Sequence, residues 1–189
     1  MLKGKILNKD FFARSVVEVA KDLVGKILVR KVKKKYLVGR IVEVEAYGAS
    51  DDAASHACKK QTDRNAPMFG PVGRAYVYFT YGKHCCLNIT ARDPEAKAGG
   101  VLIRALDPIL GLEDMIKFRG TDDLENLVSG PGKLAEALDI DLKMNNLDIT
   151  KEGSLFLLKD SATPASAILA TPRVGIRSAK DKKWRFTFK

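Results

Sequence analysis

Cysteine and long hydrophobic runs are both scarce in this 189-residue chain. Its three cysteines, Cys58, Cys85 and Cys86, are odd in number, and two are adjacent. That excludes a fully paired disulfide framework and points to a reducing compartment. Their spacing matches neither a zinc nor an iron–sulfur site, so the thiols read as small hydrophobes. No stretch approaches the roughly 18 apolar residues of a membrane span. Lys9 and Asp10 interrupt the start before any apolar signal region forms, so no signal peptide is expected. Internal repeats, low-complexity segments and composition breaks are also missing. A chain of this length is then read as one domain over residues 1–189. A phosphate loop needs Gly, four residues, then Gly-Lys-Ser/Thr. Here Gly130 and Gly132 stand two apart and Leu134 follows Lys133, which excludes that mode of nucleotide binding.

What the chain does have is positive charge: 33 Lys+Arg against 23 Asp+Glu give a net +10. A polyanionic partner fits that balance, although charge alone does not establish one.

Apolar positions at spacings of three and four predict a helix from Phe11 to Leu23, closed by Gly25. Residues 26–32 and 36–47 then read as an antiparallel hairpin across a lysine-rich turn. Strict alternation in the second strand would place Ile41, Glu43, Glu45 and Tyr47 on one face, with Val42, Val44 and Ala46 in the core. Gly48 to Ala57 reads as loop or short helix, and residues 58–74 as a long surface loop of the kind that carries function. Ala75–Thr80 and Cys85–Thr90 form a second hairpin with Tyr81 near its tip. Val101–Leu106 is a third strand of that sheet, in which Arg104 is the one charge in an apolar run, at an edge or paired in a site. Pro108 is read as starting a helix to about Phe118, and Leu134–Leu138 as another. Short strands are expected at 155–159, 172–176 and 184–188.

Residues 39–88 hold the densest chemistry. Glu45, at a strand end among apolar neighbours, is suited to act as a general base on water. Glu43 shares its face, and spacing does not separate the two. Tyr47, His56 and Tyr78 can form a slot for a planar heterocycle, whereas Tyr76 reads as core. Tyr81, beside Gly82 and Lys83, reads as a wedge for a nucleic-acid groove. The segment around Lys133 opens a helix and can meet a backbone phosphate.

Taken together these stretches resemble the alkyladenine, or 3-methyladenine, DNA glycosylases of the mammalian alkylpurine type. The match is carried by Val42-Glu43-Val44-Glu45-Ala46-Tyr47, His56, Arg64-Asn65, Met68-Phe69, Tyr76-Val77-Tyr78-Phe79-Thr80-Tyr81-Gly82 and Leu87-Asn88-Ile89. It continues through Leu102–Pro108, Gly111-Leu112-Glu113, Ser129–Leu134 and Pro172-Arg173-Val174-Gly175-Ile176. The order and spacing of these motifs span nearly the whole chain.

The resemblance implies an α+β fold: a single mixed domain with a curved antiparallel β-sheet and flanking helices. It implies a monomer, without metal or cofactor, acting on double-stranded DNA that contains alkylated purines. No membrane is involved, and the expected location is the cytoplasm of a prokaryote or the nucleus of a eukaryote. Glu45 takes the place of the general base, with Arg104 and the Val174 carbonyl helping to hold the attacking water. Tyr47 stacks on one face of an extruded base, with His56 and Tyr78 on the other, and Asn88 crowds the 2-amino group of guanine. Tyr81 fills the gap left in the duplex. Lys83, His84, Arg64 and Lys133 are expected along the DNA. A non-catalytic DNA-binding module on the same fold is the second reading, and a helix-hairpin-helix glycosylase a remote third. The chain departs from the family at Lys83-His84, where apolar residues are common, at Cys58, and over residues 119–127.

Overall fold

The computed structural model describes residues 4–80, 82, 84–159 and 167–188. The wedge candidate Tyr81 and the adjacent Lys83 lie outside the described residues.

The chain opens with two short helices, α1 (Lys9–Phe12) and α2 (Val16–Leu23), where sequence periodicity predicts one. The break has a local cause. The Ala13 N–H closes α1 onto the Lys9 carbonyl, and Arg14 Nε donates to the Phe11 carbonyl at 3.0 Å. Ser15 then restarts the helix from a non-helical conformation. Phe12, Val19, Ala20 and Leu23 are fully buried, so the periodicity still marks the core face. Gly25, at φ +90°, turns the chain out of α2 into the sheet at little cost, because it has no Cβ.

Among the described residues, eight antiparallel strands form one curled sheet. They are β1 (Ile27–Val32), β2 (Lys35–Tyr47), β3 (Ala75–Thr80), β4 (His84–Thr90), β5 (Gly100–Leu110), β6 (Leu155–Leu158), β7 (Ile168–Thr171) and β8 (Arg185–Phe188). The main path runs β3-β4-β5-β2-β1-β6, and β8 joins β2 and β7. The 13-residue β2 is the spine. It pairs with β5 from Val38 to Tyr47, with β1 through its first half, and with β8 at Glu43–Glu45.

A β-bulge in β2 overturns the strict alternation expected there. Ile41 pairs with Leu106 and Glu43 with Ala105, leaving Val42 as the extra residue. The parity of the strand therefore switches. Leu37 and Ile41 enter the main core before the bulge, Val44 and Ala46 after it. Ile41 thus leaves the carboxylate face, and Val42 is only partly buried. The prediction for Glu43, Glu45 and Tyr47 survives because all three follow the bulge.

The β3–β4 hairpin pairs with β5 only at its base, through Asn88, Ile89 and Thr90, and its described residues toward the tip are unpaired with that strand. At that tip Gly82 has φ +67°, and an added Cβ there would meet nothing within 4 Å. Pro108 does not start a helix: β5 runs through it to Leu110. Its partner Gly39 adjoins a register shift, where a missing N–H is tolerated. Gly111, at φ +85°, then introduces α4 (Leu112–Arg119). Helix α5 (Pro131–Ala137) carries proline in its first turn and packs behind β4 and β5. The expected loop at 58–74 contains the four-residue helix α3 (Ala66–Phe69) and buries Asn65, Pro67 and Met68. Among the described residues, no helix is long and apolar enough to cross a membrane.

Candidate active site

Glu45 ends up fully buried near the end of β2. Its Oε1 accepts the Val174 N–H at 2.7 Å, and its Oε2 accepts the Tyr47 hydroxyl, also at 2.7 Å. Arg104 Nη1 lies 3.4 Å from Oε2. Two neutral donors and one nearby guanidinium thus surround this buried carboxylate, and each neutral donor fixes one oxygen. Residues 172–176 are not a strand. The Val174 N–H goes to Glu45 instead of a ladder, and Gly175 sits at φ +74°. It is thus the Val174 N–H that touches Glu45, while its side chain is 51% exposed and borders the adjoining cavity.

Glu43, two residues earlier, has different partners. Its Oε1 accepts from both Arg104 Nε and Arg185 Nε at 2.6 Å. Burial acts to raise its pKa, but the two guanidiniums outweigh burial and hold it below the usual carboxylate range. Arg104 is therefore paired in a site and not left at an edge. Burial opposes its charge, but Glu45 and Glu43 more than compensate, and its pKa rises.

Above these groups opens a cavity of about 510 Å³. Tyr47, His56, Tyr76 and Tyr78 line it, together with Asn88, Leu102, Cys86 and Met68. The His56 and Tyr78 ring centroids are 4.7 Å apart with planes at 77°, so a flat ligand can lie parallel to only one of them. His56 stands exposed at the rim with Nδ1 against Tyr76 Oη at 2.9 Å. Burial and, after that, the Arg64 cation lower its pKa below the ordinary imidazole value. Tyr76, read from sequence as core, is indeed 1% exposed, yet its hydroxyl is the partner that orients His56. Burial pushes that hydroxyl up to about 12. Asn65 anchors the loop beneath. Its amide donates to the His56 and Lys60 carbonyls at 2.7 and 3.0 Å, and its oxygen accepts the Thr62 N–H at 2.6 Å.

One feature of the site was not legible from the motifs. Asp52 and Arg173 form a two-pronged ion pair at 2.6 and 2.7 Å, and both side chains are fully buried. Arg173 also donates to the Ala46 carbonyl, between Glu45 and Tyr47, at 2.9 Å. Its guanidinium lies 4.7 Å from the Tyr47 ring centroid and 5.3 Å from that of Trp184. The signal was present: Arg173 is a lone charge in an apolar run, the same pattern that singles out Arg104.

The remaining predicted residues scatter around the mouth. Asn88 is buried and donates to the Tyr76 carbonyl at 3.2 Å, with its side chain on the cavity. Arg64 is exposed, lies 5.2 Å over the Tyr78 ring, and donates to the Phe79 carbonyl at 3.1 Å. His84 is exposed at the start of β4, against Gly132 of α5. Lys133 donates to Asn126 Oδ1 at 2.7 Å. Arg177 and Ser178 complete the rim, a pair that the sequence reading did not mark. Among the described residues, no group of three or more His, Cys, Asp or Glu side chains is placed to hold a metal ion.

A family model described as methylpurine-DNA glycosylase matches residues 10–189. The chain belongs to the methylpurine-DNA glycosylase family. It is accordingly a DNA glycosylase, a hydrolase of base excision repair that takes DNA as its substrate. Among its relatives, a protein of Prosthecochloris aestuarii is 46% identical, over 96% of this chain and 86% of that protein. One of Carboxydothermus hydrogenoformans is 44% identical, over 97% and 95%. One of Methanoculleus marisnigri is 44% identical, again over 97% and 95%. Each of the three carries 3-methyladenine DNA glycosylase as a provisional name. For this methylpurine-DNA glycosylase, the cavity lined by tyrosines and by Tyr47, Arg104 and Val174, the three partners of Glu45, is the candidate active site.

Proposed function

We propose that this glycosylase removes alkylated and deaminated purines from duplex DNA, among them 3-methyladenine, 7-methylguanine, hypoxanthine and ethenoadenine. The observation that carries the reading is the position of Glu45: a buried carboxylate whose three partners, Tyr47, Val174 and Arg104, all line the aromatic cavity. The damaged nucleotide leaves the stack and enters this cavity, a step that costs least where pairing is already weak. Tyr47 takes one face of the base, and His56 and Tyr78 border the other. Asn88 fills the space that the 2-amino group of guanine would need.

Glu45 deprotonates a water that attacks C1′, while Arg104 and the Val174 carbonyl help to hold it. The C–N glycosidic bond breaks, the base departs with the bonding electron pair, and the hydroxyl stays on C1′. An alkylated cationic purine needs little help in leaving. For such a base, activation of water by Glu45 is worth on the order of 10²–10⁴ in rate. The described cavity lining includes arginines but no lysine, which supports simple hydrolysis to an abasic site over an amine-linked intermediate. The protein acts as a monomer. Tyr81 occupies the gap in the duplex, and Lys83, His84, Arg64 and Lys133 face the backbone phosphates.

The test is release of free 3-methyladenine from methylated duplex DNA, followed by chromatography. The expected result is release by the wild type and none above background by Glu45→Gln. Full release by Glu45→Gln removes Glu45 as the base. Binding of damaged duplex without release by the wild type favours a non-catalytic module.

A further inference from the structure

The aromatic wall and the carboxylate are joined through one side chain. Tyr47 borders the cavity with its ring, and its hydroxyl donates to Glu45 Oε2 at 2.7 Å. Burial, then the adjacent Glu45, raises the pKa of that hydroxyl, so it keeps its proton and serves only as donor. The ring is also fixed from behind. Arg173 lies over it at 4.7 Å and is fully buried in its fork with Asp52, and it holds the Ala46 carbonyl between Glu45 and Tyr47. Arg173 itself is absent from the cavity lining, so it supports the side of Tyr47 that a base does not touch.

We propose that Tyr47 couples recognition to catalysis. Its ring stacks on the extruded base, and its hydroxyl is a positioning group that holds the Glu45 carboxylate in working orientation. The Asp52–Arg173 pair keeps the two functions in register. A base that lies flat on the ring leaves the hydroxyl bond to Glu45 intact; one that pushes the ring aside loosens the carboxylate. This inference rests on Glu45 being the general base.

Tyr47→Phe separates the two roles, since it keeps the ring and removes the donor, while Tyr47→Leu removes both. Each is measured on duplex DNA containing hypoxanthine, by equilibrium binding and by single-turnover base release, with Glu45→Gln alongside. For Tyr47→Phe we expect a Kd near that of the wild type and a release rate lower by about 10- to 100-fold, the effect of one hydrogen bond to a charged group. Tyr47→Leu is expected to lose both affinity and rate. If Tyr47→Phe weakens binding and rate in parallel, the hydroxyl is merely structural and the coupling is wrong. A wild-type rate for Tyr47→Phe, with Glu45→Gln inactive, also overturns it while leaving the base assignment standing. Full activity of Glu45→Gln removes the base assignment itself.

Discussion

Two carboxylates on one face of one strand, Glu43 and Glu45, meet opposite fates. Glu43 gives a single oxygen to two guanidiniums at 2.6 Å and is 19% exposed in its side chain. Glu45, at 0%, is held mainly by a tyrosine hydroxyl and a backbone N–H, with a guanidinium standing off at 3.4 Å. A carboxylate saturated by cations is a poor proton acceptor, because its charge is already compensated. One held mainly by neutral donors is not saturated in that way. Asp52, locked onto Arg173, belongs with Glu43 in this respect. On the proposed assignment of Glu45, the chemical kind of partner marks the base, and burial alone does not.

The largest expected effect separates the two glutamates by kinetics. In single-turnover base release, Glu45→Gln should lose on the order of 10²–10⁴ in rate. Glu43→Gln should lose only about tenfold, because Arg104 keeps Glu45 as a partner; that loss is about 1.4 kcal/mol of barrier. Equal losses would erase the distinction. Asp52→Asn should act on stability instead of rate. It leaves Arg173 charged and buried without the Asp52 counter-charge, and breaking such a pair costs about 3–5 kcal/mol. Denaturant unfolding would show this as a lowered midpoint at unchanged slope.

Which parts of this contrast could be read from the chain depended on distance along it. Glu43, Glu45 and Tyr47 lie within five residues, and their shared face followed from strand periodicity. The β3–β4 hairpin followed from local turn chemistry in the same way. What separates Glu43 from Glu45 is Arg185, which arrives 142 residues later on β8. The fork between Asp52 and Arg173 spans 121 residues. No local rule pairs such residues. The bulge at Val42 escaped for a related reason: the register of β2 is set by its pairing with β5, not by its own pattern. Pro108 misled because a proline before a helical run usually opens the helix. Here the adjacent register shift in β2–β5 accommodates it within the strand. Residues 172–176 have strand composition, yet the Val174 N–H is committed to a side chain.

The smallest effect, and the one that sharpens the contrast most finely, is its pH dependence. In Asp52 burial opposes the charge, but the Arg173 fork and the Gly48 and Ala54 N–H groups outweigh it, and the folded-state pKa falls below the ordinary value. A lowered acid pKa means that the folded protein binds fewer protons than the unfolded chain in that range. The stability contributed by Asp52 is therefore complete above its unfolded value of about 3.9. It is lost as pH falls through the lower folded value. Glu43 follows the same sign from its two guanidiniums. Unfolding free energy measured from neutral pH downward should fall in the acid range more steeply for the wild type than for Glu43→Gln. The two curves should converge once Glu43 is protonated in both states. Parallel curves across the whole acid range would mean that Glu43 gains nothing from its guanidiniums, and that the contrast with Glu45 is one of position alone.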